Sequence, residues 1–177
     1  MRRLILLAAV LGAAALVSPS GAVAAAPITP RSVIGFSGVG AIEIGSRISV
    51  AERRTGQDID YRHAVIGGPG STCGSGELLP RSIGFYVLGT NFRIASINVV
   101  KRGIRTARGI RVGDSLRRVR SAYGARLVPV RNFYNPRQTD YELRRGNRKL
   151  VFFTRANKVT SIRSGRKPEV DYVEGCA

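Results

Sequence analysis

At 177 residues the chain has room for one ordinary domain and little more. Its 29 Lys and Arg stand against 11 Asp and Glu, a balance of +18 that draws anionic polymers or membrane surfaces and carries no information on fold. One histidine and two cysteines leave a zinc site without its roughly three or four closely spaced ligands, and no cofactor motif is read.

The N-terminus is Met1-Arg2-Arg3 followed by an uncharged run from Leu4 to Val17, interrupted only by Gly12. A cationic start and a short apolar stretch form the layout of a secretory signal, too short to span a bilayer. Ser18-Pro19-Ser20-Gly21 ends the run, and Ala22-Val23-Ala24 supplies small residues for cleavage after Ala24, with Ala25 and Ala26 as alternatives. A buried N-terminal helix is the competing reading. The expectation is a signal peptide over 1–24 and a single mature domain over 25–177, secreted or held at the cell envelope. Losing Arg2 and Arg3 lowers the balance from +18 to +16. No later segment reaches the roughly 18 apolar residues of a membrane helix, so no transmembrane segment is expected after processing.

Ala41 to Ala51 reads apolar, charged, apolar, Gly, then a short helix with Ser46 as N-cap and Gly56 closing it. Ile48, Ala51 and Thr55 share its inner face. Strands are expected over Tyr61–Ile66, Arg81–Leu88 and Arg93–Val100, with a flexible loop across Gly67–Gly76. His63 falls in an alternating strand pattern, where an ordinary strand position outweighs a catalytic one. Cys73 and Cys176 are most simply one disulfide in an exported chain. Closing 103 residues, that bridge is worth up to about 4–5 kcal/mol; two free thiols are the other reading. Asp58 and Asp60 are flanked by Arg53, Arg54 and Arg62, so ion pairing is expected of them rather than dyad chemistry.

Basic residues then cluster. Lys101, Arg102, Arg105, Arg108 and Arg111 precede a second helix, and Arg117, Arg118 and Arg120 lie on it, with Asp114 the sole acid nearby. These eight are the candidate anion-binding residues, against the plainer reading of a solvated linker and helix face. A GC-rich genome would also produce 25 Arg beside 4 Lys. No aromatic residues interleave with them, so nucleic acid fits least well.

The second helix is expected to start at Asp114 as N-cap, to end at Gly124, and to bury Leu116, Val119 and Tyr123. Strands follow over Arg126–Arg131, Tyr141–Arg145, Leu150–Thr154 and Val159–Arg163, with a turn at Arg155-Ala156-Asn157. Ala41–Ala51 aligns with Gly109–Val119 at an offset of 68, and two hairpins align downstream. The pattern predicts an α+β fold of two tandem repeats, about 36–100 and 104–163, each a short helix packed on an antiparallel sheet, plus a C-terminal tail.

Gly109-Ile110-Arg111-Val112-Gly113-Asp114-Ser115, with Val119 and Tyr123-Gly124 beyond it and the Lys158-Val159-Thr160-Ser161-Ile162 hairpin strand downstream, resembles the helix-plus-sheet unit of the β-lactamase inhibitory protein and of the small outer-membrane assembly lipoproteins SmpA and OmlA. The resemblance covers about Phe36–Arg163 and implies two helix-capped sheets side by side. The inhibitory protein's enzyme-blocking residues have no matching positions here, so none is carried over.

No catalytic residue is assigned: His63 is the one histidine available as a base, no nucleophile elbow accompanies it, and no pair of carboxylates near a third polar group is read on one sheet face. The expected function is that of a non-enzymatic exported binding or structural protein, its partner an anionic envelope polymer or another exported protein. An inhibitor of an exported hydrolase is the alternative, and a hydrolase the third.

Overall fold

The computed structural model describes residues 25–63 and 73–172. The expected leader over 1–24, the end of the first expected strand, and Cys176 lie outside them. In chain order the elements are β1 Val33–Gly35, β2 Gly38–Val39, β3 Ile42–Glu43, α1 Ile48–Thr55, β4 Ile59–His63, β5 Cys73–Leu78, β6 Phe85–Thr90, β7 Arg93–Val99 and β8 Arg105–Thr106. There follow α2 Leu116–Tyr123, β9 Val128–Arg131, β10 Thr139–Arg145, β11 Arg148–Arg155, β12 Lys158–Arg166 and a closing 3-10 turn, Glu169–Asp171.

The expected α+β pair of helix-capped repeats is not what the chain builds. Eight strands form one antiparallel sheet in the order β4-β5-β6-β7-β12-β11-β10-β9, and β3-β2-β1-β8 form a second, small sheet. The seam that merges the halves pairs β12 with β7, from Ile162 opposite Val99 to Gly165 opposite Ser96. Each helix has only eight residues, too few to roof a four-stranded sheet alone. The small sheet supplies the missing cover: Ser164 Oγ on β12 donates to the Gly35 carbonyl at 2.6 Å. The fold is therefore mostly β.

Helices and small sheet share one face of the large sheet. There Ile34, Val39 and Ile42 meet Phe85, Val87, Ile97, Val99, Phe152 and Ile162 in one core, each side chain contributing about 1.5–3 kcal/mol by burial. The expected inner helix faces, Ile48, Ala51 and Thr55 on α1 and Leu116, Val119 and Tyr123 on α2, are buried. The caps differ from expectation. Arg47, not Ser46, is the N-cap of α1, and Ser46 Oγ donates instead to the Glu43 carbonyl. On α2 the cap is Ser115, whose hydroxyl accepts from the Arg118 amide, while Asp114 accepts from the Arg111 amide at 2.9 Å.

Of the glycine-rich loop expected over 67–76, residues 67–72 lie outside the described residues and 73–76 belong to strand β5. Gly74 and Gly76 sit inside β5 because their neighbours on β4 need the space: a Cβ on Gly74 would lie 2.6 Å from the Tyr61 hydroxyl, one on Gly76 2.9 Å from the Ile59 side chain, and one on Gly89 of β6 2.8 Å from the same Tyr61 hydroxyl. That hydroxyl donates to the Gly89 carbonyl on β6 at 3.1 Å, so one aromatic ring covers two glycine strands. His63 ends β4 opposite Gly74. At the far edge, Pro129 stands within β9 opposite Tyr141, an edge position where a missing N–H costs no ladder bond.

Candidate functional site

Along β10 the alternation of a strand sends Tyr141 and Leu143 to the core and Asp140 and Glu142 to the opposite face. Lys149, Val151 and Phe153 of β11 and Arg163 of β12 join them in lining a groove of about 470 Å³. Two segments wall it in. Asn132 folds the β9–β10 loop back: its Oδ1 accepts from the Tyr134 and Asn135 amides at 3.0 and 2.9 Å, and its Nδ2 donates to Asp140 Oδ2 at 2.6 Å. At the other end Val170 and Asp171 of the closing turn complete the wall. Phe133 and Tyr134, 72% and 64% exposed, stand edge to face at 5.4 Å on that loop.

A pair of carboxylates near a third polar group, which the sequence reading did not find, is thus present on one sheet face. Its chemistry is closed on itself. Asp140 accepts from the Thr154 amide at 2.7 Å as well as from Asn132. Glu142 pairs with Arg144 and, at 3.1 Å, with Lys149, whose ammonium also meets Asp171 at 2.6 Å. Burial pulls the Lys149 pKa down, but the hydrogen bonds and charges of Asp171 and Glu142 outweigh it, and the value stands above the ordinary 10.5. Lys149 is therefore a cation and a strut. Arg163 lies 4.8 Å over the Phe153 ring and donates to the Val170 and Tyr172 carbonyls at 3.3 and 2.7 Å; burial lowers its pKa, partly countered by Asp171 and Tyr134. The groove offers apolar side chains beside a floor whose carboxylates and lysine are already bonded.

Several of the eight basic residues singled out in the sequence are engaged within the fold. Lys101 donates to the Arg81 carbonyl beside β6. Arg102 and Arg118 converge on buried Asp114, at 3.8 and 3.6 Å. Arg108 donates to the Ala122 carbonyl at the end of α2 and lies 5.9 Å from the Tyr123 ring. Arg105 is exposed on β8, Arg111 is half-buried with its Nε buried and unpartnered, and Arg117 is exposed. Arg120 donates to the Tyr141 hydroxyl at 2.7 Å. Several of these cations thus serve α2 and its approach. Asp60 is ion-paired, as expected, with Arg62 and also with Arg81, at 3.5 and 2.8 Å.

Among the described residues no group of three or more His, Cys, Asp or Glu could hold a metal, and no helix is long and apolar enough to cross a membrane. Cys73 opens β5; its expected partner lies outside the described residues.

No family model matches the chain, and no curated protein does. Two solved structures are similar. The crystal structure of the uncharacterized protein yfeY from Escherichia coli matches at 12% identity over 76% of this chain and 99% of that one, with a TM-score of 0.52. A cysteine-rich secretory protein from Staphylococcus aureus subsp. aureus Mu50 matches at 12% identity over 75% of this chain and 47% of that one, with a TM-score of 0.42. At such identity the first likeness concerns the fold alone.

Proposed function

We propose that this chain is an exported, non-catalytic binding protein of the cell envelope or extracellular space, and that its partner is an anionic polymer. The observation that carries the reading is where the acids go. Glu43, Asp60, Glu77, Asp114, Glu142, Glu169 and Asp171 are each ion-paired within the fold, and Asp140 is buried with both oxygens bonded. The paired acids are matched by cations of the chain itself, so the surplus cations set the sign of the field outside. The groove fits the same reading, since its carboxylates and its lysine are already ion-paired or hydrogen-bonded within the fold and so are not free for acid–base work.

The test is retention of the processed protein on immobilised teichoic acid. Binding at physiological ionic strength is expected, falling steeply with salt as condensed counterions are displaced. Passage through the column unretained at that ionic strength overturns the reading.

A further inference from the structure

We propose that a phosphate group is bound in the cleft between the start of α2 and the ends of β10 and β11. This rests on the polyanion reading above and gives it a site. The cleft holds about 440 Å³, and Arg120 of α2, Arg137 of the β9–β10 loop and Arg155 at the end of β11 line it without any Asp or Glu. None of the three forms an ion pair among the described residues, whereas Arg102 and Arg118 nearby share Asp114. Unpaired arginines are common in so basic a chain. Three drawn from three separate segments line one concavity with no carboxylate among them, where an anion would meet attraction from all three.

The cleft is also built in advance. Arg120 is held by its Nη2–H bond to the Tyr141 hydroxyl and lies 5.4 Å from that ring's centroid, and Tyr141 is itself buried. One donor so fixed leaves the rest of the guanidinium fork free to face the cleft. The opposite wall is pinned where the Leu116 amide donates to the Asn157 carbonyl at 2.8 Å. A carboxylate fills one guanidinium fork, whereas the oxygens of a phosphate engage several at once. Phosphate is therefore the chemistry that uses all three arginines.

The experiment is a titration of the ¹⁵N-labelled protein with inorganic pyrophosphate at low salt. Shifts confined to 116–120, 135–141 and 154–157 are expected. The double variant Arg137→Gln/Arg155→Gln, which removes no internal side-chain bond, should bind about tenfold more weakly or worse. Arg31→Gln/Arg47→Gln/Arg53→Gln, three exposed arginines on other segments, should change affinity by less than about twofold after the general charge effect. Shifts spread over the basic surface, or equal losses in both variants, overturn the proposal. Vesicles of phosphatidylglycerol form a second arm: if the double variant also loses vesicle binding, the phosphate belongs to a lipid headgroup, and if it loses only pyrophosphate, to a soluble or polymeric source. A wild type retained on teichoic acid, beside a double variant that keeps its binding to teichoic acid, pyrophosphate and vesicles alike, sinks the cleft alone, while an unretained wild type sinks the polymer reading.

Discussion

Lys149→Met strands a buried carboxylate. In the wild type, Glu142 has a side chain 3% exposed and meets the Lys149 ammonium at 3.1 Å, and that ammonium also holds Asp171. Methionine keeps the length of the stem and removes the charge. Breaking a buried pair from one side costs roughly 3–5 kcal/mol. Arg144 remains on Glu142, and half-exposed Asp171 turns to water, so the expected loss is about 2–3 kcal/mol. For a domain of this size that lowers the melting temperature by about 5–10 °C. Urea unfolding at neutral pH, followed by far-UV circular dichroism, measures it. Adding Glu142→Met should recover most of the loss, because two apolar side chains leave no unpaired charge. A single variant within about 0.5 kcal/mol of wild type, or a double variant weaker than the single, refutes the account of the groove floor.

The same pair predicts an alkaline effect. The Lys149 pKa is raised on folding, so its stabilisation is complete below 10.5 and is lost as pH climbs through the folded value; wild type should lose more stability above that pH than Lys149→Met, with Tyr61 and Tyr123, whose pKa values burial also raises, common to both. Tyr61→Phe should cost about 1 kcal/mol for the lost bond to the Gly89 carbonyl, and Tyr61→Ala about 3 kcal/mol for uncovering the glycines, both read from chemical denaturation; equal effects would mean that the ring covers nothing. Non-reducing peptide mapping of secreted protein should join the Cys73 and Cys176 peptides and show a chain beginning after Ala24; free thiols at both positions, or a chain retaining Met1, would remove the corresponding proposal.

What the sequence discloses and what it hides divide along a physical line. Local periodicity exposed the inner faces of both helices, Leu116, Val119 and Tyr123 among them, and the β11–β12 hairpin, whose Ala156 and Asn157 take the left-handed conformations of a tight turn. Long-range pairing was silent: nothing in Ser96–Val99 announces Ile162–Gly165 as its neighbour, so one sheet was read as two. Gly74 and Gly76 look like loop because glycine weakens a strand unless a neighbour needs the space, and the neighbours that do, Tyr61 and Ile59, come from another strand. Strands of two or three residues such as β2 and β3 carry no periodicity at all. The groove was missed for a related reason. Asp140 and Glu142 alternate with Tyr141 and Leu143 as on any solvated face, and only the folded-back Asn132 loop and the closing turn convert that face into a floor. The cluster over 101–120 was legible as charge, yet its partition between struts and free cations depends on where Asp114, Ala122 and Tyr141 stand in three dimensions.

Pro129 has a bearing on how the molecule behaves in company. An eight-stranded sheet has two outermost strands, and an outermost strand invites another chain to zip onto it. On the β9 side the proline withholds an amide mid-strand. On the β4 side Asp60, tied to Arg62 and Arg81, sets a knot of charges along the margin that a flat incoming strand would have to bury. A chain this rich in strand, carrying its own surplus of like charge, is thereby kept from templating its neighbours into aggregates, and its sheet can be wide without being adhesive.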